Sequence, residues 1–205
     1  MLGLAVATDE AWVVAALADV DALLVDHAHC EMKAATNALS LVVRCGDRPE
    51  LVTAMTALAA EELEHFQRVH RVLVARGIAF GPPPVDPYAA ALRKHAGGRT
   101  IDLVDRLLVA ALIEARSCER FRILAERCPD PELRAFYAEL LAAEAGHYRT
   151  FVDLAVTEGR RDGVSEAEVR RRLALLADAE AAIVVRSSSA DAPGAPGGGR
   201  AAIHG

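Results

Sequence analysis

Two copies of one four-residue pattern restrict this chain more than any other feature: Glu62-Leu63-Glu64-His65 and Glu144-Ala145-Gly146-His147. A Glu and a His three residues apart share one face of an α-helix, with Cβ atoms about 5–6 Å apart, a workable distance for holding one metal ion. Each copy has a further glutamate upstream at nearly the same interval. Glu31 lies 31 residues before Glu62, and Glu114 lies 30 before Glu144. The pattern therefore asks for four long helices, each supplying one side of a shared site.

The rest of the chain can provide them. Over half of the 205 residues are apolar, yet only 4% are aromatic. The apolar set is mostly Ala, Leu and Val, and Ala and Leu are the strongest helix formers. Thr8-Asp9-Glu10 opens a short N-terminal helix through Trp12–Leu17, with a bend near Ala18–Asp21. From there to Cys45 no Gly or Pro interrupts a helix of roughly six or seven turns. Gly46-Asp47-Arg48-Pro49 makes a turn, and the second long helix runs from about Pro49 to Arg76, stopping at Gly77. Residues 77–100 hold Gly81-Pro82-Pro83-Pro84 and Gly97-Gly98, with room for a short helix capped by Asp86 and begun by Pro87. This segment suits a long crossover between the second and third bundle helices. The third long helix spans about Thr100–Arg127, and the fourth ends near Glu158, before Gly159. Ser165-Glu166-Ala167-Glu168 is a capping box for an extra C-terminal helix to about Val185. Residues 187–205 are Ser-, Gly- and Pro-rich and read as a disordered tail, leaving residues 1–186 as one domain.

Height along the helices tests the pairing. In an antiparallel pair, residues equally far from the connecting turn lie level. The first turn is centred near residue 47.5, with Glu31 16.5 residues away and Glu62 14.5; the second is centred near 129.5, with Glu114 15.5 away and Glu144 14.5. At 1.5 Å per residue the mismatch is at most about 3 Å. Glu119 is displaced by roughly 6 Å and turned off the Glu114 face, so it reads as a supporting or surface group. Glu61 does not reproduce the spacing of the other copy, and Asp26-x-x-His29 has no counterpart in the second half. His27, His29 and His70 read as surface residues or local hydrogen-bonders. The glutamates sit among apolar neighbours, as in Leu112-Ile113-Glu114-Ala115, and a buried carboxylate without a counter-charge is very costly. Metal supplies that charge, and oxygen and imidazole donors without thiolate suit iron or manganese. Two lone glutamates and two Glu-x-x-His pairs are the ligand set of ferritin-like di-metal carboxylate bundles. The expected fold is thus all-α, a ferritin-like four-helix bundle.

No run approaches the 18 apolar residues of a membrane span, and Asp9 and Glu10 stand where a secretory signal would be basic. Cys30, Cys45, Cys118 and Cys128 lack CxxC spacing and read as reduced thiols of a cytoplasmic protein. The formal charge of −6 argues only weakly against a nucleic-acid partner, because bound metal would cancel four negative charges.

Four runs carry a resemblance: Asp26-His27-Ala28-His29-Cys30-Glu31-Met32-Lys33-Ala34-Ala35, Ala38-Leu39-Ser40-Leu41, Glu61-Glu62-Leu63-Glu64-His65-Phe66, and Ile113-Glu114-Ala115-Arg116-Ser117-Cys118-Glu119-Arg120-Phe121, of which Asp26–Glu31 and Glu114–Arg120 are much more specific than generic ferritin-like ligands. Over about residues 9 to 155 the chain resembles the bacterial tRNA-(2-methylthio-N6-isopentenyladenosine) hydroxylases. The resemblance implies a non-haem di-iron monooxygenase that hydroxylates the isopentenyl group of a hypermodified adenosine beside the anticodon. It implies Glu31, Glu62, His65, Glu114, Glu144 and His147 as ligands of two iron ions, with O2 as co-substrate. No flavin or nicotinamide motif occurs, so electrons would come from an external donor protein. Gly146 departs from the larger polar residue more usual there without removing a ligand. Arg44, Arg48, Arg116, Arg120, Arg160, Arg161 and Arg170–Arg172 are the arginines available to a phosphate-tracking patch, although the last three read equally well as a solvated helix face. The rival readings are an iron-binding or iron-oxidising ferritin-like protein, and a di-iron oxygenase acting on another small molecule.

Overall fold

The computed structural model describes residues 2–83, 87–96, 102–190 and 203, and among them are seven helices and no strand. They are α1 (Glu10–Ala18), α2 (Val20–Arg44), α3 (Pro49–Ala75), α4 (Pro87–His95), α5 (Leu103–Arg127), α6 (Pro131–Arg161) and α7 (Glu166–Ala190). The all-α expectation holds, and α2, α3 and α5 end just before a Gly or Pro, as the sequence predicts. The chain divides into two compact units, one of Ala18–Val85 and the other of Met1–Leu17 with Asp86–Gly205.

The first unit is the α2–α3 hairpin. Asp19 caps α2 by accepting from the Ala22 amide at 3.0 Å, and Pro49 begins α3 where its missing N–H costs nothing. Leu24, Ala28, Ala35, Ala38 and Leu41 on α2, and Leu51, Met55, Leu58, Val69 and Leu73 on α3, are buried. Gly77 adopts φ +69 to end α3, a left-handed conformation that a Cβ would strain.

The second unit is built around α5, which is buried over most of its circumference and packs against α4, α6 and α7. Asp102 and Asp130 cap α5 and α6. Gly159 does not end α6, as its position suggested; the helix continues to Arg161. A Cβ on Gly159 would lie 2.9 Å from Val169 Cγ2 and 3.5 Å from Val104 Cγ2, so this glycine lets α7 and α5 approach. Gly163, at φ +83, makes the turn instead. The Ser165 capping box forms as expected, with Ser165 Oγ donating to Glu168 Oε2 at 2.7 Å. α7 extends to Ala190. The rest of the expected tail apart from Ile203, together with Asp86, Gly97-Gly98 and Thr100, lies outside the described residues.

Thr8 and the featureless residues before it are tied down by α5. Arg116 donates to the Val6 carbonyl at 3.1 Å, and Thr8 donates through its amide and hydroxyl to Glu119.

Candidate metal centre

Each unit brings one triad of the expected ligands together. On the α2–α3 hairpin, ligand atoms of Glu31, Glu62 and His65 lie within 4.8 Å of one another, and all three residues are buried. His65 Nδ1 is 3.5 Å from Glu62 Oε2 and 3.8 Å from Glu31 Oε2. The i,i+3 spacing on α3 sets Glu62 and His65 on one face, and the antiparallel turn brings Glu31 of α2 level with them. On the other unit, ligand atoms of Glu114, Glu144 and His147 likewise lie within 4.8 Å of one another. Their residues are 4%, 2% and 4% exposed. So the solvated-face reading of these six side chains fails on burial.

Their electrostatics are those of a site built for cations. Burial pushes the Glu31 carboxyl up, but the His27 hydrogen bond and the nearby His65 imidazole hold it well below the usual range. Burial lowers His65, but the adjoining Glu31 and Glu62 carboxylates raise it to about 10. Without metal, His65 therefore carries a proton where a metal ion would sit. His27, fully buried, donates Nε2–H to Glu31 Oε1 at 2.6 Å and fixes that carboxylate from behind. This is the local hydrogen-bonding alternative of its two sequence readings.

The donor set is four carboxylates and two imidazoles. Cys30 and Cys118, close by in sequence, point elsewhere: Cys30 Sγ lies 3.6 Å from Asp26 Oδ2, and Cys118 Sγ lies 3.8 Å from the Leu141 carbonyl. Burial pushes the Cys118 thiol up, away from the thiolate a metal would need. All four cysteines are free. An oxygen-rich site of this kind suits iron or manganese.

Two residues proposed for a tRNA-facing patch are not on a surface. Arg116 is 0% exposed, and Arg120 is 3%. Arg116 lies in a buried network, bonded twice to Glu180 of α7 and once each to Glu119 and Thr8. Tyr88 donates to the same Glu180 at 2.9 Å. The Arg120 guanidinium lies 4.6 Å above the Trp12 ring and donates to the Ile203 carbonyl, and burial pushes its pKa down to about 10. Arg172 grips Asp105 with two bonds, while Arg170 pairs with Glu166 on the exposed side of α7. The Glu-Ala-Arg-Ser-Cys-Glu-Arg run thus combines one ligand candidate with a structural lock. Glu119 is part of that lock.

The model of the family described as tRNA-(MS[2]IO[6]A)-hydroxylase (MiaE) matches residues 2–191, which takes in α7 as well as the stretch that carried the resemblance. The chain is 42% identical over 178 residues to the tRNA 2-(methylsulfanyl)-N(6)-isopentenyladenosine(37) hydroxylase of Pseudomonas putida, covering 86% of this chain and 84% of that one. It is 30% identical to the enzyme of the same name from Salmonella typhimurium, over 87% and 82% of the two chains. Among solved structures it is similar to "Protein 43 with aldehyde deformylating oxygenase activity from Synechococcus", with a TM-score of 0.81, 41% identity and 88% of each chain covered. The fold is of the ferritin-like class. On its sequence, its helices and its buried carboxylate–histidine triads, the chain belongs to the tRNA-(MS[2]IO[6]A)-hydroxylase (MiaE) family.

Proposed function

We propose that the two triads together hold two iron ions, and that the protein uses them, O2 and electrons from an external donor protein to hydroxylate the isopentenyl side chain of 2-methylthio-N6-isopentenyladenosine in tRNA. One observation carries the metal in this reading: each half of the chain buries a lone glutamate beside a Glu-x-x-His pair; the tRNA substrate rests on the family. Six ionisable groups buried in this way need a cationic partner to be tolerated.

Iron bound there would supply the activation of O2, chemistry beyond any side chain of this protein. The chain's own residues hold and shield it. Glu31, Glu62 and His65 would hold one side, and Glu114, Glu144 and His147 the other. His27 orients the Glu31 carboxylate. Leu58, Ala59 and Val69 on α3, Ala111 on α5, and Leu140 and Phe151 on α6 are buried three or four residues from a ligand candidate, on the same helix face. In this reading they would exclude bulk water and give a prenyl chain an apolar surrounding. The tRNA reading implies a cytoplasmic enzyme. No described helix is long and apolar enough to cross a membrane.

A second reading is favoured by the solved structure whose title names aldehyde deformylating oxygenase activity. The family match and both named relatives weigh for the tRNA substrate instead. Incubating the iron-loaded, reduced protein separately with prenylated tRNA and with an alkyl aldehyde decides the matter. The tRNA reading expects one added oxygen atom on the prenylated adenosine, seen by nucleoside mass spectrometry. Loss of the formyl carbon from the aldehyde, with unchanged tRNA, would replace it with the second reading. Iron oxidation with neither product would leave an iron-oxidising protein.

A further inference from the structure

A group of aromatic and basic residues on the α2–α3 hairpin has no part in this chemistry. Phe66 is turned about 100° from His65 around α3, and His29 about 200° from Glu31 around α2, so both leave the ligand face. His29 stacks on Phe80 with ring centroids 4.2 Å apart and an interplanar angle of 27°. Its Nε2–H is donated to the Gly81 carbonyl at 3.0 Å. Phe66 stacks on His70 at 5.7 Å, and Phe80 meets these two rings edge-on at 5.5 and 6.1 Å. Four rings from two helices and the segment after Gly77 therefore make one cluster.

The cluster is not closed as a core would be. His29 is 6% exposed, but Phe80 remains 37% exposed, and Phe66 and His70 are half-buried. Phe80 is held in place from beneath by His29 and from behind by the bond to Gly81, with Pro82 and Pro83 following. A large ring fixed at the surface is a preformed contact with little rotamer freedom left to lose.

Charge selects the partner. Between His65 and Pro83 there is no Asp or Glu, while Arg68, Arg71 and Arg76 all fall there, in a chain of net charge −6 whose Glu61, Glu62 and Glu64 lie just before. Arg71 and Arg76 are exposed and Arg68 half-buried. Surface rings interleaved with guanidiniums are what unpaired nucleotides need: a face for the base and cations for the adjoining phosphates.

We propose that Phe80, backed by His29, Phe66 and His70, is the platform on which an unpaired base of the tRNA anticodon loop stacks, with Arg71 and its neighbours holding the adjacent phosphates. The proposal rests on the tRNA reading above and names the surface that would engage the loop. Phe80 and Arg71 are not ligand candidates, so their replacement leaves the metal centre untouched.

The test is fluorescence anisotropy with a labelled anticodon stem-loop carrying the prenylated adenosine, beside a fully paired RNA duplex. Phe80→Leu keeps apolar bulk but removes the π-face, and Phe80→Trp restores one. We expect Phe80→Leu to weaken stem-loop binding by about 5- to 100-fold, the range for losing one base stack, with little effect on the duplex. Phe80→Trp should bind like the parent. Arg71→Ala should weaken both RNAs and lower the salt dependence by about one counterion. Iron content and the circular dichroism spectrum, measured on each variant, separate this from misfolding. Stem-loop affinity of Phe80→Leu within about twofold of the parent, or equal loss for stem-loop and duplex, would overturn the platform. So would a Phe80→Leu protein that binds RNA normally but accepts electrons poorly, which would assign the surface to the donor protein. An unchanged affinity and salt slope for Arg71→Ala overturns it even where the Phe80 variants do not fold. If the parent protein binds neither RNA, the tRNA reading itself falls.

Discussion

Replacing Glu180 with leucine removes the partner of a guanidinium that has no route to water. Arg116 and Glu180 are both 0% exposed, and two bonds of 2.9 Å join them across α5 and α7. Although burial opposes it, Glu180 and Glu119 hold Arg116 charged. Breaking one side of a buried pair costs about 3–5 kcal/mol, because the remaining charge stays desolvated. Arg116 would keep Glu119, Thr8 and the Val6 carbonyl, which sets the loss at the low end, about 3 kcal/mol. Tyr88 would lose its acceptor as well, adding about 1 kcal/mol. Burial and the neighbouring Glu180 push that phenol well up, so it acts only as a donor. The total of about 4 kcal/mol corresponds to a fall in Tm of about 8–16 °C for a chain of this size. Urea unfolding and scanning calorimetry on the metal-free protein measure it. The double variant Arg116→Met/Glu180→Leu replaces both charges with apolar groups and should recover most of the loss, since Glu119 still accepts from Thr8. A single-variant cost below about 1 kcal/mol, or a double variant as unstable as the two singles combined, would refute the reasoning.

Glu114→Ala should lose bound iron while keeping its helix content, whereas Glu119→Ala should keep iron and lose about 2–3 kcal/mol of stability as Thr8 and Arg116 lose their acceptor; equal iron loss from both would contradict the ligand assignment. Gly146→Ala should raise stability by about 1 kcal/mol in thermal unfolding, because a Cβ there meets nothing within 4 Å. Gly159→Ala should lower it, because that Cβ would press on Val169. Metal uptake should release a proton, since His65, raised to about 10, is charged at neutral pH and must become neutral to bind. Apparent affinity for manganese(II) should therefore rise by up to about tenfold per pH unit below 10, and calorimetry in two buffers of different ionisation enthalpy should detect the proton; an affinity that falls with rising pH would contradict this.

The sequence was most informative where physics is local. Gly46, Pro49, Gly77, Pro129 and Pro131 lie at helix ends, where glycine turns the chain and proline's missing N–H costs little, and a 1.5 Å rise per residue is enough to pair Glu31 with Glu62 and Glu114 with Glu144. What escaped it depends on distant partners. Arg116 and Arg120 look like cations for phosphate until Glu180, 64 residues beyond Arg116, and Trp12 are placed against them. Nothing in the composition of α7 distinguishes Glu180 from the surface carboxylates around it. Gly159 reads as a helix stop because a glycine's need for close packing is invisible until Val169 is brought to it. The His29–Phe80 stack, spanning two elements and a Pro-rich turn, was hidden for the same reason.

Whether the inserted oxygen comes from O2 decides whether this protein is a monooxygenase. Iron-loaded protein, reduced by a competent donor and given prenylated tRNA under heavy-isotope O2, should yield a hydroxylated adenosine carrying one heavy oxygen, and Glu114→Ala should yield none. A product whose oxygen comes from water, or full turnover by the iron-free protein, would contradict it.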